Sequence, residues 1–373
     1  MAFPSSTNLP PADAVAFPTL DNPVPPIPSA DLSTQILGDP ASAGPFLYGG
    51  FLVAEGIRRV LELIGQPLEL FRDVLDFGCG TSRVLRWFWR YSTRCRFRGA
   101  DISREAIEWN RANMPFGEFV ANDVEPPLPF ADGSFDLVYG ISVVTHLGEH
   151  LQLAWLAELA RILRPGGIAM LTVMGDELAE WKLSPEECAA FRQKGHAYKK
   201  VQEGGLHGLP DFYQDAYHSR SYVAREWSRD FELRAYIRNG PVYLQDLVIL
   251  QKPAAAATSW ECLDLQLPIG AIDRPKTAEV LTACSLRVSG WAFAHHVPPV
   301  ALELAIDRRP MGSCVADESS PAVANVYPTF PEAASCGFSA VLPLEGFQAG
   351  AHVLEISAAG QQLPALFSYF FLA

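Results

Sequence analysis

The sequence predicts an α/β fold built on a parallel sheet, followed by a small all-β sandwich. Between positions 74 and 173 short apolar strands alternate with helical periods, the pattern of a parallel sheet covered on both faces. Beyond Trp260 no helical period is convincing, and short strands are separated by turn residues. The chain has 373 residues, 49% of them hydrophobic and 19% charged, which is long and apolar enough for two buried cores.

The elements follow in order. Residues 1–44 carry Pro10-Pro11, Pro23, Pro25-Pro26, Pro28 and Pro40. Repeated prolines remove backbone donors and favour extended chain, so this stretch is expected to be an arm, with Phe3, Phe17 and Ile27 able to dock on the folded body. Residues 45–253 form the expected α/β domain. Leu52, Val53, Ile57, Val60, Leu61 and Ile64 recur at helical spacing, and Gly65 supplies the stop. Strands are expected at 74–77, 97–101, 118–121, 135–139 and 168–173, with helices at 82–91, 103–113 and 149–163. Ser103 caps the second helix and Pro165-Gly166-Gly167 closes the third. Two more helices, 184–195 and 221–229, flank an aromatic, glycine-bearing loop at 204–217, and 231–236 and 243–250 read as closing strands. Residues 254–260 are a linker by composition, and 261–373 the sandwich, with strands at 286–293, 301–306, 337–341, 352–356 and 367–370.

Composition excludes several functions. A formal charge of −13 argues against a general nucleic-acid binder, which uses Lys and Arg to displace phosphate counterions. The local run Arg83, Arg86, Arg90, Arg94, Arg96 and Arg98 reads as a solvated face. The seven cysteines, Cys79, Cys95, Cys188, Cys262, Cys284, Cys314 and Cys336, are odd in number and form no CxxC pair. That is neither a zinc site nor a disulfide framework, so a reducing, cytoplasmic setting is expected. The N-terminus lacks the charged start and apolar run of a signal peptide, and no segment has the apolar length of a membrane span.

The chemistry gathers at strand ends. The first strand runs into Asp76-Phe77-Gly78-Cys79-Gly80-Thr81-Ser82, where two glycines let a turn approach a ligand ahead of a helix N-terminus. A tight strand-to-helix turn explains the same residues. The third glycine of the dinucleotide fingerprint is replaced by Arg83, which counts against NAD or FAD. Asp101, at the end of the second strand, can accept both hydroxyls of a ribose; its competing reading is a helix cap, which Ser103 already provides. The third strand ends at Asn122-Asp123-Val124, where an acidic side chain and a backbone amide can read an adenine edge. Three acidic positions therefore fall at the carboxyl ends of successive strands, the edge that holds the ligand crevice in an open parallel sheet.

Residues 74–86, 99–103, 122–123, 134–147 and 159–167 together resemble the ordered motif series of class I S-adenosylmethionine-dependent methyltransferases, over roughly positions 51–252. The resemblance implies a Rossmann-like seven-stranded sheet whose last two strands form a reversed hairpin, with S-adenosylmethionine as cofactor. It places Asp76 and the Gly78, Cys79 and Gly80 backbone around the methionine part, Asp101 and Ile102 at the ribose, Asp123 and Val124 at the adenine, and Ser142 and His146 on the far wall. Gly148 departs from the acidic residue often found near that place.

Methyl transfer is an in-line displacement that mainly needs the acceptor held in place, and an alcohol acceptor gains from a general base. His146, His207 and His218 are the base candidates, each with a packing role as its alternative, and Tyr213 and Tyr217 are candidates to cradle the acceptor. The expected acceptor is an oxygen of a small molecule or sugar; an amine nitrogen, or a silent enzyme core carrying a carbohydrate-binding or scaffold module, are the rivals. Gly140-Ile141-Ser142-Val143 follows the fourth strand, with neither a base-amine motif nor an Asp to begin a magnesium site, so no metal is expected. Positions 272–275, 289–292 and 336–338 resemble accessory β-sandwich modules of bacterial glycan-assembly enzymes. That implies a surface-carbohydrate setting, with a scaffold or homodimerisation role as the alternative and Trp291 as a core residue.

Overall fold

The computed structural model describes residues 25–37, 43–200, 213–242, 244–254, 262–297 and 299–373. After α1 (Ala30–Leu37), the apolar period near position 52 becomes the middle of α2 (Ala43–Leu63). Phe46, Leu47, Phe51, Val53, Ile57, Val60 and Leu61 of α2 are all buried, each contributing roughly 1.5–3 kcal/mol of hydrophobic stabilisation. Then come β1 (Asp73–Phe77), β2 (Arg96–Asp101), α3 (Arg104–Asn113), β3 (Gly117–Ala121), β4 (Phe135–Gly140), α4 (Glu149–Ile162) and β5 (Leu163–Val173). The Ser103 hydroxyl caps α3 as expected, accepting from the Ala106 N–H at 3.2 Å.

Several local expectations change: Asp215–His218, at the end of the expected loop at 204–217, is a strand, and Pro165-Gly166-Gly167 lie inside β5, the helix having ended at Ile162. Positions 82–91 form a tight 3₁₀ turn over Leu85–Tyr91 rather than an α-helix, with the Trp87 N–H bonded to the Val84 carbonyl. Trp87, Phe88, Trp89 and Tyr91 lose rotamer freedom in an α-helix, and Ser82 already leaves the right-handed region at φ 54°. The arginine run is also not all a solvated face. Arg83 and Arg86 are buried, and Arg86 donates from Nη1 to the Pro25 carbonyl at 3.1 Å and from Nη2 to the Pro26 carbonyl at 2.9 Å. This side chain therefore pins the proline-rich segment onto the domain.

Further on lie α5 (Asp176–Lys182), α6 (Pro185–Lys194), β6 (His196–Lys199), β7 (Asp215–His218), α7 (Arg220–Glu226), β8 (Glu232–Val242), β9 (Gln245–Gln251) and β10 (Leu263–Gln266). Ser184 and Glu187 form a reciprocal capping box at the start of α6, and Gly195 ends it at φ 77°. The main sheet has the order β10-β8-β9-β5-β4-β1-β2-β3. Its first five strands are parallel neighbours, whereas β9 runs antiparallel to β5 and to β8. The seven expected strands are all present, and β10 adds an eighth by pairing in parallel with β8. Along β9, Leu247 and Ile249 face one core while Val248 and Leu250 face the other, as in a strand covered on both sides.

The remaining chain forms β11 (Ile269–Arg274), β12 (Glu279–Leu281), β13 (Ser285–Phe293), β14 (Val300–Ile306), β15 (Arg309–Ala316), β16 (Glu318–Ser319), α8 (Pro321–Val326), β17 (Ser335–Pro343), β18 (Gly350–Ala358) and β19 (Leu366–Leu372). They make two sheets, β11-β13-β17-β16 and β12-β19-β18-β14-β15, with Val288, Leu302, Leu304, Phe338, Ile356 and Phe370 packed together in one core. These sheets are welded to the first domain. Tyr369 meets Phe51 edge-on at 4.9 Å between ring centroids, Tyr48 Oη donates to the Phe367 carbonyl at 3.1 Å, and Arg59 pairs with Glu355.

Candidate active site

The turn after β1 is held from two sides. The Gly80 N–H donates to Asp101 Oδ2 at 2.7 Å, and the Ser103 N–H donates to Asp101 Oδ1 at 2.8 Å, so one carboxylate fixes both the glycine turn and the entry to α3. On the far side, Asn110 Nδ2 donates to the Gly80 carbonyl at 2.7 Å. Gly78 sits at φ 73°, and a Cβ there would lie 2.3 Å from Val143 Cγ2, so the close approach requires glycine. Asp76 is 4% exposed, and burial, reinforced by the nearby Asp101 charge, pushes its carboxyl up to about 8, with the Tyr139 hydroxyl alongside. Burial also raises Asp101.

The rim continues along the sheet edge. Asn122 N–H bonds the Asp101 carbonyl at 3.0 Å, carrying the chain to Asp123 and Val124, both exposed. The Val124 carbonyl accepts from Trp155 Nε1 at 3.0 Å, which anchors that backbone over α4. Past β4, Ser142 adopts φ 57° and is held by three partners. Its N–H donates to Thr172 Oγ1 at 2.8 Å, its hydroxyl exchanges with the Gln245 amide, and its carbonyl accepts from Tyr213 Oη at 3.2 Å.

His146 and Tyr213 come together as a stacked pair, 4.1 Å between centroids and 20° between planes. His146 Nδ1 lies 3.1 Å from the Gln214 carbonyl, which fixes a neutral ring with its proton on Nδ1 and its lone pair on Nε2. Burial lowers the imidazole to about 4, against a smaller upward pull from the Gln214 carbonyl, so it is neutral at pH 7.

His218 has no exposed surface. It sits among His196, Tyr222 and Trp227, with Nε2 2.7 Å from Gln152 Oε1. Gln152 in turn donates to the Val144 and Leu147 carbonyls, so His218 acts on the turn that carries His146 rather than facing the crevice. Tyr217 is likewise buried, beside Asp215 and in the cluster of Ala179, Leu183 and Phe191. His207 lies outside the described residues. Among the described residues no group of His, Cys, Asp and Glu has the arrangement of a metal site.

Sequence reasoning did not single out Asn110, Thr172 or Gln245. Asn110 carried a signal: it falls one turn after Ala106 and Ile107 on the buried face of α3, where a polar residue needs a partner. Thr172 and Gln245 are brought to Ser142 by strand pairing, which has no local signature.

The residues around the glycine turn suit a cationic nucleoside. Two carboxylates, Asp76 and Asp101, share this rim, and neither makes an ion pair among the described residues. Buried Thr81 Oγ1 and Ser82 Oγ, on the same turn, find no partner among the described residues.

Comparison with known proteins agrees with that chemistry. Residues 75–171 match the family described as "Methyltransferase domain". The Streptomyces halstedii methyltransferase GfsG is 33% identical over 147 residues, 37% of this chain and 49% of that protein. A phthiotriol/phenolphthiotriol dimycocerosates methyltransferase of Mycobacterium ulcerans is 35% identical over 115 residues, 30% of this chain and 41% of that protein. The malonyl-[acyl-carrier protein] O-methyltransferase of Enterobacter lignolyticus is 33% identical over 141 residues, 38% of this chain and 53% of that protein. The chain thus spans about half the length of the curated relatives it matches.

Proposed function

We propose that residues 75–171, which match a methyltransferase-domain family, form a class I S-adenosylmethionine-dependent methyltransferase core, and that the chain methylates an oxygen of a small molecule or sugar. The observation that carries this reading is the glycine turn bonded to Asp101 beside the buried Asp76 carboxyl. Asp76 and the Gly78, Cys79 and Gly80 backbone would hold the methionine part of the cofactor, Asp101 and Ile102 the ribose, and Asp123 and Val124 the adenine. Ser142, locked by Thr172, Gln245 and Tyr213, would form the far wall. S-Adenosylmethionine supplies an electrophilic methyl carbon on a sulfonium.

The chain's task is then to hold an acceptor oxygen in line and take its proton. His146 Nε2 is the basic atom for that step, because Nδ1 faces the Gln214 carbonyl and the ring is neutral above about pH 4. Tyr213, stacked on His146, would bound the acceptor space, while His218 positions His146 through Gln152. Likeness to an O-methyltransferase acting on malonyl-[acyl-carrier protein] supports an oxygen acceptor.

The test is methyl transfer from labelled cofactor into small-molecule extracts, with the product identified by mass spectrometry. His146→Ala should lower kcat by roughly 10²–10⁴-fold, a far larger loss than any in S-adenosylhomocysteine affinity. Activity that survives replacement of His146, His207 and His218 together would move the acceptor to an amine nitrogen. Absence of any methyl transfer, with glycan binding retained, would leave a silent core carrying a binding module.

A further inference from the structure

Three residues at the far side of the crevice hold backbone that side chains rarely adopt: Ser142 at φ 57°, Asn239 at φ 51° and Leu244 at φ 63°. For a bulky residue such as leucine this region is costly, and it persists only where the surroundings enforce it. The three are connected. Asn239 and Leu244 lie at the outer end of the β8–β9 hairpin, where Val242 pairs with Gln245. Gln245 is 7% exposed; its Nε2 donates to Ser142 Oγ at 2.9 Å, and the Ser142 hydroxyl donates back to its Oε1 at 3.1 Å.

What enforces Leu244 comes from the other domain. Its side chain packs against the sandwich cluster of Ile269, Phe293, Val323, Tyr327 and Phe330. Trp181 of α5 packs on the same cluster, its ring 4.9 Å from that of Tyr327. α5 is itself tied to the hairpin, since Glu177 Oε2 accepts from Asn239 Nδ2 at 2.8 Å. The same Nδ2 reaches the Leu267 carbonyl at 3.3 Å, where the chain enters the sandwich. The hairpin end is therefore seated on the sandwich on one side and holds Ser142 on the other.

We propose that the sandwich is a working part of the crevice, with Leu244 as a positioning residue. Seated on the Tyr327 cluster, Leu244 holds Gln245 at the place from which Gln245 fixes Ser142. The proposal rests on the reading of Ser142 as the far wall of the cofactor site. It gives the sandwich a task that needs no ligand of its own.

The test uses the full chain and two readouts. One is hydrogen exchange of the empty protein at the Ser142 N–H, which donates to Thr172 Oγ1 at 2.8 Å; the other is S-adenosylhomocysteine affinity by calorimetry. Leu244→Ala keeps the costly φ and loses the contact that enforces it, so exchange should quicken and affinity should fall, each roughly tenfold. Tyr327→Ala, on the sandwich side, should act in the same direction. Leu244→Met restores an apolar contact and should return both readouts to within about twofold of the unsubstituted chain. Val288→Ala, in the sandwich's other core, should lower the thermal midpoint and leave both readouts unchanged.

Ser142 exchange that stays as slow in Leu244→Ala overturns the proposal, whatever the chain binds. So does an effect of Val288→Ala as large as that of Leu244→Ala, because any loosening of the sandwich would then reach the crevice. Quickened exchange in a chain that binds no S-adenosylhomocysteine would instead sink the cofactor reading and leave the link from sandwich to Ser142 standing.

Discussion

The two ends of the main sheet treat the same residue type in opposite ways. Asp73, at the amino end of β1, and Asp76, near its carboxyl end, are 2% and 4% exposed, so burial does not separate them. Burial alone would raise Asp73, but hydrogen bonds from Arg96 at 2.7 Å and Arg164 at 2.9 Å outweigh it, with Arg98 at 3.2 Å, and its carboxyl lies below the usual range. Asp76 has no arginine in ion-pair contact among the described residues and is pushed up to about 8. One end of the sheet is neutralised by the protein's own cations. At the other, the pull of Arg83 on Asp76 is outweighed by burial and by the Asp101 charge, which is how a site for a cationic ligand differs from a structural ion cluster.

That contrast predicts where mutations act. Asp101→Ala removes two charge-assisted backbone bonds from the glycine turn, and S-adenosylhomocysteine affinity by calorimetry should fall roughly 100-fold; an unchanged affinity would show that the turn stands without it. Asp73→Asn should do the converse, costing about 2 kcal/mol of stability in urea unfolding with cofactor affinity intact. A third effect is smaller and depends on pH. Asp76 holds its proton below about 8 in the folded chain, so a sulfonium bound beside it, as proposed above, would release that proton. Affinity for S-adenosylmethionine should then rise by up to about tenfold per pH unit until about 8 and level off above, and Asp76→Asn should flatten the curve.

Stability follows the same signs. A carboxyl raised from 3.8 to about 8 binds more protons folded than unfolded, so Asp76 makes the empty protein less stable as pH climbs through that window. Asp73, lowered from 3.8, stabilises above the ordinary carboxylate range and loses that contribution only as pH falls below it. Unfolding midpoints of Asp76→Asn and Asp73→Asn measured across pH should diverge in opposite directions. Parallel curves would erase the distinction between the two ends.

Much of this could be read from sequence because it is locally encoded. Ser103, Ser184 with Glu187, and Gly195 mark helix ends through neighbours three or four residues away, and Gly78 and Gly80 mark a turn by themselves. What escaped depends on distant partners. Nothing near Arg86 reveals that its guanidinium bonds carbonyls at Pro25 and Pro26. His218 looks like a loop histidine until Gln152 of another helix is brought to it. The 3₁₀ turn at Leu85–Tyr91 shares its apolar pattern with an α-helix, so period alone could not separate them.

Because Leu263–Gln266 completes the first sheet before the chain turns into the second pair, the natural seam does not lie in the alanine stretch ahead of it. A truncation there would strip β8 of its neighbour, leaving an open row of backbone donors and acceptors to recruit strands from other molecules. Anyone transplanting the carboxyl-terminal sandwich onto another scaffold should cut after Gln266, so that Leu263–Gln266 stays with the sheet it completes.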